Sequence, residues 1–228
     1  MRSNPHRCWN WFLPEHQRRE RGEPAELLEL VEEIAAHHPI DRDRIYVAGL
    51  SAGGAMAAIL AEQAPDVFSA VGIMAGVALH ATRDATSAVA AMSGVSHDDV
   101  TTADIAPVVA ACGGVPHGGY DRLRATIWSG SVDRVVAPAN ATVLARQFAA
   151  LLGLNGDGAH EELRDGASVD VWRDGDGRVR IESWRVPNLG HAWSGGSLRG
   201  SYTHPGGPDA SEEMMAFFLE TASSAPAR

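Results

Sequence analysis

Residues 44–60 read RIYVAGLSAGGAMAAIL, and the order of residue types in this stretch decides the fold. Ile45, Tyr46 and Val47 form a short β-branched and aromatic run, the signature of a buried strand. Gly49-Leu50-Ser51-Ala52-Gly53 interrupts it, and Gly54 to Gln63 is rich in the helix formers Ala, Met and Leu. Strand, Gly-x-Ser-x-Gly, helix is the context of a nucleophile elbow, a turn so tight that both glycines flanking the serine are expected to be there for lack of a Cβ. Such a turn lifts Ser51 Oγ clear of the sheet, with a helix N-terminus behind it. With 24 glycines in 228 residues, chance alone supplies roughly 0.2 patterns of this kind. The strand before the motif and the helix after it are what give it meaning.

Outward from the elbow, Ala64-Pro65-Asp66 ends the helix and Val67 to Met74 (VFSAVGIM) reads as a second buried strand. Strand, helix, strand within about 30 residues is a βαβ unit, so the expected class is α/β with a parallel sheet and helices on both faces. Upstream, Gly22 to His37 carries Leu27, Leu28, Leu30, Val31 and Ile34 at helical spacing, as a covering helix would. Trp9, Trp11 and Phe12 crowd three large aromatics into four positions and are expected to pack onto the body of the protein. Downstream, the segment 77–120 is irregular, with helices expected at Asp84–Met92 and Thr102–Ala111, and is the candidate lid or substrate-binding insertion of a single domain. Ala125–Ser129 reads as a third strand and Pro138–Leu152 as a helix. Val169–Arg173 and Val179–Val186 read as a hairpin around Asp174-Gly175-Asp176-Gly177. Ser211–Thr221 closes the chain as a helix, with Ser211 as its expected N-cap.

Composition bounds the function. A net charge of -10 with 45% hydrophobic and 21% charged residues describes a globular chain and argues against nucleic acid or an anionic membrane as partner. All 19 basic residues are arginine. No apolar run reaches the length of a membrane span, and the first residues lack the apolar stretch of a signal peptide, which taken alone predicts the cytoplasm. Cys8 and Cys112 are the only cysteines and have no metal spacing, and their pairing is left open. Oligomeric state is not legible.

An ester-cleaving serine needs a base to take its proton and a carboxylate to hold that base in one tautomer. In a parallel-sheet hydrolase these follow in the order serine, acid, histidine, each in a loop at the carboxyl end of a strand. Asp133 after the third strand and His191 after the fourth fit that order. Asp121 precedes its strand, Asp104 lies in the irregular segment, and His204 is the rival base because it also follows the fourth strand. His37 and His38 suit a helix C-terminus, whereas His80, His97 and His117 are candidates for touching substrate. The backbone N–H of Ala52 is the first oxyanion donor, and a second is expected from a loop upstream of the elbow. Residues 1–43 contain no strand followed by His-Gly.

Several motifs together resemble the polyhydroxybutyrate depolymerase family of esterases: CWNWF at 8–12, GEP at 22–24, DRDRIYVAGLSAGGAMAAILAEQAPDVFSAVG at 41–72, GSVDRVVAPAN at 130–140, LGHAWSGG at 189–196 and GSYTHPGGPDASEEMMAFFL at 200–219. The resemblance implies an α/β-hydrolase fold and a secreted serine carboxylic-ester hydrolase that needs no cofactor. Its substrates would be polyhydroxyalkanoates or related feruloyl or acetylxylan esters. It carries the roles of nucleophile, acid and base to Ser51, Asp133 and His191, and places Trp193 either in the substrate pocket or in packing. The family has further strands and a Leu-His-Gly segment before CWNWF that are not found here, and Thr203-His204-Pro205 stands where it often has Thr-Asp-Pro. Two expectations follow: a longer reading frame carrying those strands and a signal peptide, or a short remnant that binds rather than catalyses. Acyl transfer or peptidase chemistry on the same triad stays open, since a triad does not choose its acceptor.

Overall fold

The computed structural model describes residues 4, 7–94, 119–154 and 160–220. Its strands in chain order are β1 (Tyr46–Leu50), β2 (Ala70–Met74), β3 (Arg124–Gly130), β4 (His160–Arg164), β5 (Ala167–Arg173) and β6 (Val179–Val186), assembled in the order β1-β2-β3-β6-β5-β4. The four strands β1, β2, β3 and β6 run parallel. β2 and β3 are buried along their whole length, as parallel strands covered on both faces must be. The sheet is not wholly parallel, however. β5 runs antiparallel to β6 and β4 antiparallel to β5, so the expected parallel sheet becomes a mixed one. The β5–β6 hairpin turns where expected, with Gly177 at φ 80 and its N–H donating to the Asp174 carbonyl at 2.9 Å.

The helices are α1 (Gly22–His37), α2 (Ala52–Gln63), α3 (Ala85–Ser93), α4 (Ala139–Leu151) and α5 (Ala210–Leu219). α2, α3 and α4 pack a buried cluster on one face of the sheet that includes Met56, Leu60, Ile73, Ile127, Leu144 and Phe148. Among the described helices, α5 covers the other face through Met214, Phe217 and Phe218. α1 sits at the margin. Its Leu27, Leu28 and Val31 lean on the first cluster, but Leu30 and Ile34 of the same stripe are exposed. The aromatic knot packs as expected, with Trp11 buried and edge-on to Phe12.

Several boundaries differ from expectation for local reasons. Val67 and Phe68 donate to the Ala64 carbonyl and so extend the turn that ends α2, which leaves β2 to begin at Ala70. Asp209, not Ser211, caps α5, accepting from the Ser211 and Glu212 N–H groups. Asp84 caps α3 in a reciprocal capping box with Ser87. The helix expected at 102–111, and with it most of the candidate lid, lies outside the described residues. The described flank of that segment is fixed to the body: the Asn140 amide donates to the Ala91 carbonyl at 2.9 Å and the Ala137 N–H to the Met92 carbonyl at 2.8 Å.

One row of side chains crosses the sheet just below its carboxyl edge. The ladder registers Leu50 with Met74, Met74 with Trp128, Trp128 with Trp184, and Trp184 with Val169. Trp128 and Trp184 are wholly buried and stack with ring centroids 4.2 Å apart. Each indole N–H is satisfied locally, by Thr126 Oγ1 and Glu182 Oε2 respectively. The row is a floor under the loops that leave the strands. Below it, the Arg124 guanidinium ties β3 to the end of α5 by donating to the Val179 carbonyl at 2.8 Å, the Phe217 carbonyl at 2.5 Å and the Glu220 carboxylate at 2.6 Å.

Two stability predictions follow. Trp128→Ala empties half of the stacked pair and is expected to lower the unfolding free energy by about 3–5 kcal/mol in urea titration. Glu213 on α5 is held above its ordinary value of 4.5, first by desolvation and then by Asp165 and Glu182. The fold therefore disfavours its ionised form, a penalty absent well below pH 4.5 and complete once the pH has passed the folded-state value. Glu213→Gln is expected to raise the melting temperature at neutral pH, the gain vanishing at about pH 3 where both states are protonated.

Candidate active site

The end of β1 and the start of α2 lie against each other backbone to backbone. A Cβ on Gly49 would overlap the Gly53 carbonyl, and one on Gly54 would stand 2.8 Å from the Met74 carbonyl oxygen. Those two positions admit only glycine at this spacing. Gly53, the second glycine of the motif, is different from expectation. Among the described residues, and apart from its own helix and chain neighbours, a Cβ there would meet nothing closer than Trp9 Nε1 at 4.0 Å, an ordinary contact. The glycine that sterics demand on the helix side is Gly54, one residue further on.

Between these contacts Ser51 is held at φ 58, ψ -120, outside the regions ordinary for a residue with a side chain. Its N–H donates to the Met74 carbonyl at 2.9 Å and its own carbonyl accepts from the Ala55 N–H at 2.9 Å. The strained residue is thus pinned to β2 on one side and to the first turn of α2 on the other. Ala52 is the first residue of α2, so its N–H belongs to the turn that has no acceptor within the helix. It points with the positive end of the helix dipole.

Asp133 and His191 come together. The His191 Nδ1 and Asp133 Oδ2 are 2.8 Å apart. Asp133 Oδ1 accepts from the Val135 N–H at 2.8 Å and the Val136 N–H at 3.0 Å. Three groups thus converge on the two oxygens of this buried carboxylate. An ionised carboxylate can only accept, so the proton on this bond sits on Nδ1, and Nε2 of the neutral ring is left as the basic nitrogen.

The loops that carry the pair are zipped to each other. The Ser131 N–H donates to the Val186 carbonyl at 2.9 Å and the Val132 N–H to the Leu189 carbonyl at 3.1 Å. The Asn188 N–H donates to Ser131 Oγ at 2.9 Å, holding Asn188 at φ 58. Gly130 is what lets the loops touch, because a Cβ there would overlap the Leu189 carbonyl oxygen and stand 2.7 Å from that of Gly190. Ser131 and Asn188 were not read from the sequence; a short polar residue beside a strand end is too common to stand out.

The other candidates make contacts of their own. His204 is exposed and its Nδ1 accepts from the Gly206 N–H at 3.1 Å, a turn of its own making. His80 pairs with Glu62 at 2.6 Å, near the opposite end of α2 from Ser51. The His37 ring lies 2.8 Å from the Glu33 carbonyl within α1. Trp193 is half-buried against the α5 cluster and its indole N–H donates to Ser211 Oγ at 3.1 Å. Its packing role is therefore visible. His97, Asp104, Cys112 and His117 lie outside the described residues. Among the described residues no helix is long and apolar enough to cross a membrane.

A mixed sheet with helices on both faces, a strained serine after a parallel strand, and an Asp–His pair after two later strands are the arrangement of the α/β-hydrolase fold. The solved structures agree. The chain resembles acetyl xylan esterase from Aspergillus awamori with a TM-score of 0.71 at 19% identity, over 92% of this chain and 72% of that one. It resembles the PHB depolymerase from Penicillium funiculosum with a TM-score of 0.54 at 17% identity, over 81% and 54%. The family model described as Esterase PHB depolymerase matches residues 2–168, and the chain belongs to that family. It is 33% identical over 194 residues to the poly(3-hydroxyalkanoate) depolymerase C of Paucimonas lemoignei, covering 83% of this chain and 45% of that protein. It is 29% identical to the poly(3-hydroxybutyrate) depolymerase of Ralstonia pickettii, over 83% and 38%. The chain thus spans less than half the length of these two relatives.

The zipped loops yield a prediction that needs no substrate. Gly130→Ala forces two backbones apart and is expected to destabilise the chain by about 1–3 kcal/mol. It should also weaken the Asp133–His191 bond, read as an upfield move of the low-field His191 Nδ1 proton resonance. Gly53→Ala, whose Cβ has room, should leave that resonance in place.

Proposed function

We propose that this chain is a serine carboxylic-ester hydrolase. In the proposed reaction Ser51 Oγ attacks the ester carbonyl carbon while His191 Nε2 takes its proton. The Ala52 N–H stabilises the oxyanion as the tetrahedral intermediate forms. The C–O bond to the alcohol then breaks, His191 returns the proton to the leaving oxygen, and an acyl-Ser51 ester remains. Water attacks that ester with His191 again as base, and the carboxylic acid leaves as Ser51 regains its proton. Asp133 stays ionised throughout, holding the Nδ1 proton and stabilising the imidazolium that forms at each step.

The single observation that carries this reading is the Asp133–His191 hydrogen bond at the same sheet edge as the strained Ser51. The substrates proposed are polyhydroxyalkanoate-type esters. The curated relatives named poly(3-hydroxyalkanoate) and poly(3-hydroxybutyrate) depolymerase support that class, as does a solved PHB depolymerase complexed with an R3HB trimer. In this reading Trp193, two residues past His191 with its ring half-buried, borders the bound ester.

The test is hydrolysis of p-nitrophenyl butyrate and of a 3-hydroxybutyrate trimer. Ser51→Ala is expected to abolish both, and Asp133→Asn to lower kcat by about 10^4-fold through the wrong histidine tautomer. Hydrolysis retained by Ser51→Ala would overturn the assignment. A butyrate-active enzyme that ignores the trimer would keep the mechanism and remove the substrate class.

A further inference from the structure

The end of α2 remote from Ser51 borders a second pocket. Its volume is about 310 Å³, and Gln17, Arg18, Gln63, His80, Thr82 and Arg83 form most of its wall. Gln63 is the last residue of α2 and Ser51 its N-cap. At about 1.5 Å of rise per residue the two lie about 18 Å apart along the helix. The pocket is therefore separate from the Ser51 site.

Its walls are tied together by the protein itself. The Gln17 amide donates to the Trp11 and Thr82 carbonyls, each at 3.1 Å, and reaches Thr82 Oγ1 at 3.3 Å. The Gln147 amide clamps Leu79, accepting from its N–H at 2.9 Å and donating to its carbonyl at 3.0 Å. The next residue, His80, is held at φ 57 with Nε2 2.6 Å from Glu62 Oε1. Gln63 Oε1 accepts from the Arg19 N–H at 3.2 Å. A wall fixed in this way need not be ordered by its ligand.

What these bonds leave over is a set of groups suited to an anion with a hydroxyl. Thr82 is only 4% exposed, and its hydroxyl accepts from Gln17 while its own proton goes to no acceptor among the described residues. His80 Nδ1 has no partner among them either. Arg19, Arg42, Arg44 and Arg122 each face a carboxylate. The guanidinium groups of Arg18 and Arg83, both exposed at this pocket, face none among the described residues. In a chain of net charge -10, two such groups on one pocket are a place for an anion, and the guanidinium fork matches a carboxylate. A buried hydroxyl proton and a ring nitrogen call for a second polar group on the same ligand. The Pro14 ring, also in the wall, suits aliphatic carbon between the two.

We propose that this pocket binds a small aliphatic hydroxy-carboxylate, its carboxylate between Arg18 and Arg83 and its hydroxyl on Thr82 and His80. A hydroxy acid is also what the proposed hydrolysis of a polyhydroxyalkanoate would release, but binding here needs no turnover and does not depend on Ser51.

The experiment is a titration of the ¹⁵N-labelled chain with 3-hydroxybutyrate, butyrate, 3-hydroxybutyramide and inorganic phosphate, followed by heteronuclear NMR. 3-Hydroxybutyrate is expected to shift the Thr82 and Arg83 N–H resonances saturably. Butyrate, which lacks the hydroxyl, and 3-hydroxybutyramide, which lacks the charge, are each expected to bind at least fivefold more weakly. The double variant Arg18→Gln/Arg83→Gln changes exposed side chains that the fold does not use, and is expected to weaken 3-hydroxybutyrate binding at least tenfold. Thr82→Val is expected to weaken it about fivefold. The absence of saturable shifts at Thr82 and Arg83, or an affinity within twofold of the parent in the double variant, overturns the proposal. Phosphate or butyrate bound as tightly as 3-hydroxybutyrate overturns the assignment of a hydroxy acid. Hydrolysis of p-nitrophenyl butyrate, measured alongside, separates the two readings: a failed titration leaves it intact, and activity surviving Ser51→Ala leaves the titration intact.

Discussion

The backbone of Gly49 pressed against that of Gly53 is the constraint on which the rest of this molecule depends. It brings the end of β1 and the start of α2 closer than side chains allow, and the single residue left to reverse the chain is Ser51, at φ 58. Strain of this kind is worth on the order of 1–3 kcal/mol and persists only where the surroundings over-determine it. Here they do. Gly54 lets α2 settle onto the Met74 carbonyl, the Ser51 N–H reaches the same carbonyl, and α2 buries nine of its twelve residues in the core behind it. Relaxing the serine would mean withdrawing a whole buried helix from the sheet.

A second close approach does for Asp133 and His191 what the first does for Ser51. Gly130 abuts the Leu189 carbonyl, and the loops after β3 and β6 are then stitched by Val132, Ser131 and Asn188. Beneath both loops lies the stacked pair Trp128–Trp184, one ring from each of the strands concerned. Fixing the strands by stacking and the loops by backbone contact places Asp133 and His191 without either side chain having to find the other. That pre-ordering would serve the proposed reaction, because entropy surrendered in folding is not surrendered again at each turnover.

Much of this was legible because the signals are local. β2 is a continuous apolar run, β3 centres on Ile127 and Trp128, α2 is a run of helix formers behind a Gly-x-Ser-x-Gly turn, and Asp133 and His191 each sit a few residues past a strand. Chain order then selected them. What escaped was whatever depends on a distant partner. β4, His160–Arg164, is HEELR, a polar edge strand whose only signal is its pairing with β5; charge on an edge is how sheets avoid further pairing, and it hides the strand from a hydrophobic pattern. β7 (Trp193–Ser194) and β8 (Thr203–His204) are two residues each, too short for any period. Asp209 and Ser211 are equally good caps by type, and only the entry angle of the chain chooses Asp209. Gly53 misled for the opposite reason: the motif is real, but which glycine answers to which contact is a property of the crossing, not of the pattern.

The two edges of the sheet are unlike, and the difference bears on Ser51. β4 is a charged antiparallel edge of the usual protected kind. β1 is a parallel strand with no neighbour on its outer side among the described residues. Ala48 is exposed at its centre and Leu30 and Ile34 are exposed on α1. Parallel strands are ordinarily covered on both faces and flanked on both sides, so the elbow strand is held from one side only, through five residues of ladder to β2. The register of Ser51 against Met74 therefore rests on α2 and on Ser51's own N–H bond more than on the sheet. The aromatic segment Trp9 to Phe12 leans on the first cluster. Stability of the elbow and shape of the site are thus set by the same few groups, so a change that loosens α2 will be felt first as a displaced serine and only afterwards as a less stable fold.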